Sequence, residues 1–160
     1  MDRVNAILKN EQYRQIMDRI AELERDRIFC RHGIDHCLDV ARIASLICLD
    51  EGYGISRDLI YAAALLHDIG RPQQYADGTA HEEAGAGLAP QILRQCGYDE
   101  TECRIIADAV RLHGDEQVKD ERNLSGLIYR ADKSSRRCYM CPAIGMCHKK
   151  PEKRVMEIRY

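Results

Sequence analysis

His67 and Asp68 stand side by side at the end of the apolar run Leu59 to Ile69, and Gly70, Arg71 and Pro72 follow at once. An imidazole and a carboxylate in so apolar a place cost free energy unless something binds them, so chemistry is to be sought at this dipeptide. Neutral imidazole and ionised carboxylate suit divalent Fe, Mn or Zn, with no need of thiolate. Other side chains of the same kinds fall on apolar stripes. His36 lies four residues before Val40 and seven before Ile43, and His113 lies three, four and seven after Val110, Ala109 and Ile106. On helices both belong to the buried face. Asp132, four residues after Ile128, sits at the margin of its stripe. The chain therefore aims imidazoles and carboxylates from several helices at one interior.

The elements that must position them repeat at helical spacing, with no convincing two-residue alternation, so the fold class is all-α. Tyr13, Ile16, Ile20 and Leu23 predict a first helix from about residue 11 to 27, and Val40 to Ile47 a second, ending near Gly52 and Gly54. Ser56 caps a third, which Gly70 and Pro72 stop, leaving residues 72 to 78 as a loop. Thr79 with Glu82 reads as a capping box that starts a fourth helix, with His81 in its first turn and Glu82 as a capping residue. Asp99 with Glu102 repeats the signal for a fifth, closed by His113 and Gly114. After a polar loop, Asn123 or Ser125 caps a sixth that carries Asp132.

These residues resemble the HD-domain superfamily of metal-dependent phosphohydrolases. The motifs that carry the resemblance are His36 in H-C-L-D-V-A-R, His67 and Asp68 in L-L-H-D-I-G, and Asp132 in Y-R-A-D-K. His81 in H-E-E-A-G-A and His113 in L-H-G occupy the places of the two extra histidines of binuclear members. The resemblance implies a helical bundle of about six or seven helices. It also implies that His36, His67, Asp68 and Asp132 hold one metal and His81 and His113 a second, with Asp68 bridging and a bridging hydroxide as nucleophile. Two cations about 3.5–4 Å apart suit that chemistry. Iron is the favoured metal, with Mn or Zn as alternatives. Arg71, where relatives often have Lys, and Lys133 are candidates to hold substrate phosphate. His32, one turn before His36, reads as a helix-start residue or a support for the ligands. Residues 28 to 134 are most similar to the small bacterial dinucleoside tetraphosphate hydrolases.

Cys138, Cys141 and Cys147 form C-x2-C-x5-C in a short terminal span. With Cys30 as a fourth ligand they could hold structural zinc or an iron–sulfur cluster, set against the alternative of free thiols. The other four cysteines lie in helical segments and read as small buried residues. A division follows: residues 1–135 as the HD domain with its N-terminal helix, and 136–160 as a cysteine-containing tail packed on it.

The 160 residues, 45% apolar and 31% charged, suit one domain with a real core. A net charge of −2 argues against a chain that coats nucleic acid or anionic lipid, so no stable nucleic-acid partner is expected. Arg136, Arg137, Lys149, Lys150, Lys153 and Arg154 nonetheless make a local basic patch. The charged start and the lack of a run near ~18 apolar residues predict no signal peptide, no membrane span and a cytoplasmic location. The expected function is hydrolysis of a phosphate ester or anhydride of a small-molecule nucleotide. A mononuclear 5'-nucleotidase is the rival within the enzyme class. A nucleotide-binding or redox-sensing module without turnover is the rival outside it. A homodimer is compatible with the sequence.

Overall fold

Helical periodicity becomes eight α-helices in the computed structural model, which describes residues 1–160: α1 (Asp2–Lys9), α2 (Glu11–Leu23), α3 (Ile34–Asp50), α4 (Arg57–Leu66), α5 (Arg71–Asp77), α6 (His81–Gln95), α7 (Glu100–Leu112) and α8 (Leu124–Ser134). Short 3-10 turns at Glu116–Val118, Cys138–Met140, Ile144–Met146 and Pro151–Lys153 complete it, and there is no strand. α3 packs on α4 and α8, and α7 on α6 and α8, while α4 touches all three of α3, α7 and α8. Ile47, Leu66, Ile106, Leu127 and Ile128 meet in the middle with almost no exposure. Burying each such side chain contributes about 1.5–3 kcal/mol. No helix is long and apolar enough to cross a membrane.

The predicted caps at Ser56, Asp99 and Asn123 hold. Ser56 accepts from Leu59 N–H and Asn123 from Gly126 N–H, and Asp99 and Glu102 form a reciprocal capping box. Four features differ. α1 precedes the expected first helix, burying Val4 and Ile7, and Arg3 pins it by ion pairs to Glu102 and Asp58 at 2.6 and 3.1 Å. α2 ends at Leu23, not near residue 27. The expected loop at 72 to 78 is α5, with Gly70 as its N-cap, Pro72 in its first turn and Gly78 at φ 82° as its left-handed stop. Proline is tolerated there because a first-turn N–H has no helical partner.

The capping box at Thr79 does not form. Asp77 Oδ1 accepts from Thr79 N–H at 2.9 Å, and α6 begins one residue later than that cap would place it, at His81, with Ala80 as a cap that makes no side-chain bond. His81 still stands in the first turn.

Beyond α8 the tail folds back on the bundle. Cys138 and Ala143 are buried, Tyr139 N–H bonds Val155 O at 3.2 Å, and Lys153 pairs with Glu116 at 3.3 Å.

Candidate metal centre

Helix ends bring the polar residues together. His36 is in the first turn of α3 and His81 opens α6, whereas His67 and His113 are the C-caps of α4 and α7. Asp68 lies in the turn between α4 and α5, and Asp132 in the last turn of α8. His67 and Asp68 follow the last residue of α4, Leu66, and the tips of these two consecutive side chains meet. Gly70 is needed for the next step: a Cβ there would sit 2.1 Å from His81 O and 2.5 Å from Gly85 N. Without a side chain at Gly70, α6 closes on this turn and delivers His81 to Asp68.

The two oxygens of Asp68 face different histidine pairs. Oδ2 is 2.9 Å from His67 Nε2 and 3.5 Å from His36 Nε2. Oδ1 is 3.3 Å from His81 Nε2 and 3.8 Å from His113 Nε2. Within each pair the Nε2 atoms are 3.1 Å apart. Two sets of ligating atoms, His36 with His67 and Asp68, and Asp68 with His81 and His113, lie mutually within 4.8 Å. Asp132 stands beside the first set, Oδ1 3.4 Å from His36 Nε2.

The donor chemistry fits cations. His67 Nδ1 lies 2.7 Å from Ala64 O and His113 Nδ1 2.6 Å from Val110 O, which puts the proton on Nδ1 and leaves a lone pair on Nε2. Those lone pairs then face a carboxylate that is only 2% exposed, a repulsive arrangement unless positive charge lies among them. His81 Nδ1 is buried without a hydrogen bond, Glu82 Oε2 lying 3.0 Å away but out of line.

Protonation follows the same geometry. Burial opposes the charged form of His36, but Asp132 and Asp68 outweigh it and raise its pKa to about 9. Burial and the neighbouring His67 push His113 down to about 3. Burial also opposes ionisation of Asp68 and Asp132, yet the surrounding imidazoles, with Lys133 beside Asp132, hold both carboxyls well below the usual range.

Around the candidate ligands, Arg71 donates from Nε to Asp68 Oδ1 at 2.8 Å and from Nη1 to Gln74 at 2.9 Å. Lys133 bonds Asp132 Oδ2 at 2.6 Å and His113 O at 3.1 Å. His32 is packed edge-on to His36, with ring centroids 5.8 Å apart, while its Nδ1 and N–H are both held by Glu24. Tyr75 of α5 donates to the same Glu24 at 2.7 Å. The sequence reading missed Glu24 and Tyr75, and only the position of His32, one turn ahead of a ligand, hinted at them.

The four thiols proposed for a second site are not gathered. Cys30 is exposed, Cys138 is buried, Cys141 and Cys147 are half-buried, and none joins a ligating set. The tail's own turns and backbone bonds organise it instead.

A helical bundle that gathers an adjacent His-Asp pair with further histidines and a distant Asp at its helix ends defines a class. The chain belongs to the HD domain family, whose match covers residues 33–137. It is 42% identical over 160 residues, the whole of both chains, to an uncharacterized protein of Clostridium beijerinckii. It is 28% identical over 131 residues to YueE of Bacillus subtilis, a provisionally named phosphohydrolase, covering 73% of each chain. The crystal structure of a predicted HD superfamily hydrolase from an uncultured Thermotogales bacterium superposes with a TM-score of 0.60 at 25% identity, covering 89% of this chain and 81% of that one.

Proposed function

We propose that the chain is a metal-dependent phosphohydrolase that cleaves a phosphate ester or anhydride of a nucleotide, with two divalent ions sharing Asp68. The observation that carries this reading is the division of Asp68, Oδ2 toward His36 and His67 and Oδ1 toward His81 and His113. The phosphohydrolase name of YueE and the hydrolase assignment of the Thermotogales protein support it.

Bound there, two divalent ions would lower the pKa of a shared water and neutralise the charge that builds on a phosphoryl group. His36, His67 and Asp132 would hold the first ion and His81 and His113 the second. The protein's own contributions are positional. The bonds from Arg71 to Asp68 and Gln74 fix its guanidinium plane and leave Nη2 to donate to a phosphate oxygen. Lys133 spends its ammonium on Asp132 and on the carbonyl of His113, so it tethers α8 to the end of α7 and orients a ligand. His67, Asp68 and His113 are each at most 2% exposed, which excludes bulk water from the floor of the site.

Nucleotides, dinucleoside polyphosphates and cyclic dinucleotides, screened with Mn or Fe under anaerobic conditions, test the reading. Release of phosphate or of a nucleotide product is the expected result. Tight binding without turnover would replace it with a sensor.

A further inference from the structure

His81 is the one candidate ligand whose second ring nitrogen has no partner. Nδ1 of His67 and of His113 is held by a backbone carbonyl, Ala64 O at 2.7 Å and Val110 O at 2.6 Å, and Nδ1 of His36 lies 3.4 Å from Ser135 Oγ. His81 is only 6% exposed, and its Nδ1 is buried without a hydrogen bond. For Nε2 to present a lone pair beside Asp68, the proton must sit on Nδ1, and a buried N–H needs an acceptor. Glu82 Oε2, 3.0 Å away, is the carboxylate oxygen within reach, and it holds no hydrogen bond elsewhere. Its side chain is 26% exposed and free to turn into line.

Two further features keep Glu82 at the centre. Its place in a capping box with Thr79 is taken, because Asp77 accepts the Thr79 N–H. Gly114 leaves the room that its carboxylate fills, since a Cβ on Gly114 would lie 2.6 Å from Glu82 Oε1. Glu82 therefore touches both segments of the second set, the ring of His81 and the residue after His113. The two sets also differ in charge. Asp132 stands 3.4 Å from His36 in the first, whereas the second shares Asp68 and has no carboxylate of its own among its ligating atoms.

We infer that Glu82 is the positioning residue of the second ion site: its carboxylate accepts the His81 Nδ1–H, fixes the tautomer that turns the Nε2 lone pair to the ion, and adds negative charge as Asp132 does at the first site. Gly114 acts through it, by leaving the space it occupies. The inference rests on the two-ion reading above and adds to it a residue outside the ligand set. A carboxylate behind a ligating imidazole makes that imidazole a stronger donor, and loss of such a support costs about 10–100-fold in metal affinity.

Calorimetric titration of the metal-free full chain with Mn(II) under anaerobic conditions tests it. The binding step that is absent from His81→Ala is the step of the second site. Glu82→Ala should weaken that step about 10–100-fold and leave the other as in the wild type. Glu82→Gln, which keeps an acceptor without the charge, should fall between. Gly114→Ala, whose Cβ displaces only the tip of a flexible side chain, should weaken the same step at unchanged thermal stability. It should add nothing in a Glu82→Ala background, because the two changes remove one contact. Glu83→Gln removes an equal charge from the same helical turn, where Glu83 pairs with Arg111 at the surface, and should change neither step. A second step as tight in Glu82→Ala as in the wild type, or weakened equally by Glu83→Gln, overturns the role of Glu82 and leaves the two-ion reading standing. A wild type that takes up one ion overturns both. Circular dichroism checks the fold of each variant; should Glu82→Ala unfold, Glu82→Gln and Gly114→Ala decide the question by the same step.

Discussion

His67 and Asp68 are consecutive in the chain, yet their side chains converge, Nε2 of the first standing 2.9 Å from Oδ2 of the second. Successive residues of a helix diverge by about 100°, and His67, the C-cap of α4, keeps helical dihedrals (φ −61°, ψ −31°), so the pair meets at the tips of its side chains, in the turn that follows the helix. The same turn must then accept α6 at close range, and Gly70 allows it.

Gly70→Ala is expected to separate α6 from that turn. Its Cβ would lie 2.1 Å from His81 O, a backbone atom that cannot rotate aside. Denaturant unfolding should show a loss of about 1–3 kcal/mol, and metal analysis should show the His81 set emptied before the His36 set. Wild-type stability and metal content in this variant would contradict the packing argument.

Metal binding is expected to release a proton from His36. Its pKa of about 9 in the metal-free chain means that it is charged at neutral pH, and a ligating imidazole must be neutral. His113, pushed down to about 3, is already neutral and contributes no proton. Calorimetry of Mn binding in buffers of different ionisation enthalpy should report close to one proton released at neutral pH, fading as pH rises past about 9. Release that does not depend on pH over that interval would assign the proton elsewhere.

The candidate ligands are legible in the sequence because His36, His67 and His113 each fall on an apolar stripe, and a polar group on such a stripe must be satisfied inside. α5 is not legible, since Gly70, Pro72 and Gly78 are stop signals and start signals alike; only the packing of α5 against α2 and α6 decides between them. The Thr79 cap fails because Asp77, two residues away, takes its N–H first. α1 escapes notice because eight residues give just two buried apolar positions, Val4 and Ile7, too few to display a period. Which oxygen of Asp68 meets which histidine is set by helix packing, and spacing along the chain carries no trace of it.

Glu24 supplies a stability term with a defined pH window. Burial opposes its ionisation, but the bonds from His32 and Tyr75 lower its pKa from 4.5 to about 2. A depressed folded-state value means that the stabilisation is complete above about 4.5 and is lost as pH falls toward about 2. Glu24→Gln should therefore destabilise the chain most near neutrality, with the gap to wild type closing across that acid range. Urea midpoints measured against pH check this, and a gap that stays constant to about pH 2 would count against it.

The central claim is that Asp68 joins two metal ions, and metal content per chain after anaerobic reconstitution tests it most directly. Elemental analysis should find two ions in the wild type, one in His81→Ala, and neither firmly held in Asp68→Asn, whose activity should fall on the order of 10³-fold or more as a principal electrostatic group is lost. One ion per chain in the fully loaded wild type, with activity intact in His81→Ala, would contradict the account.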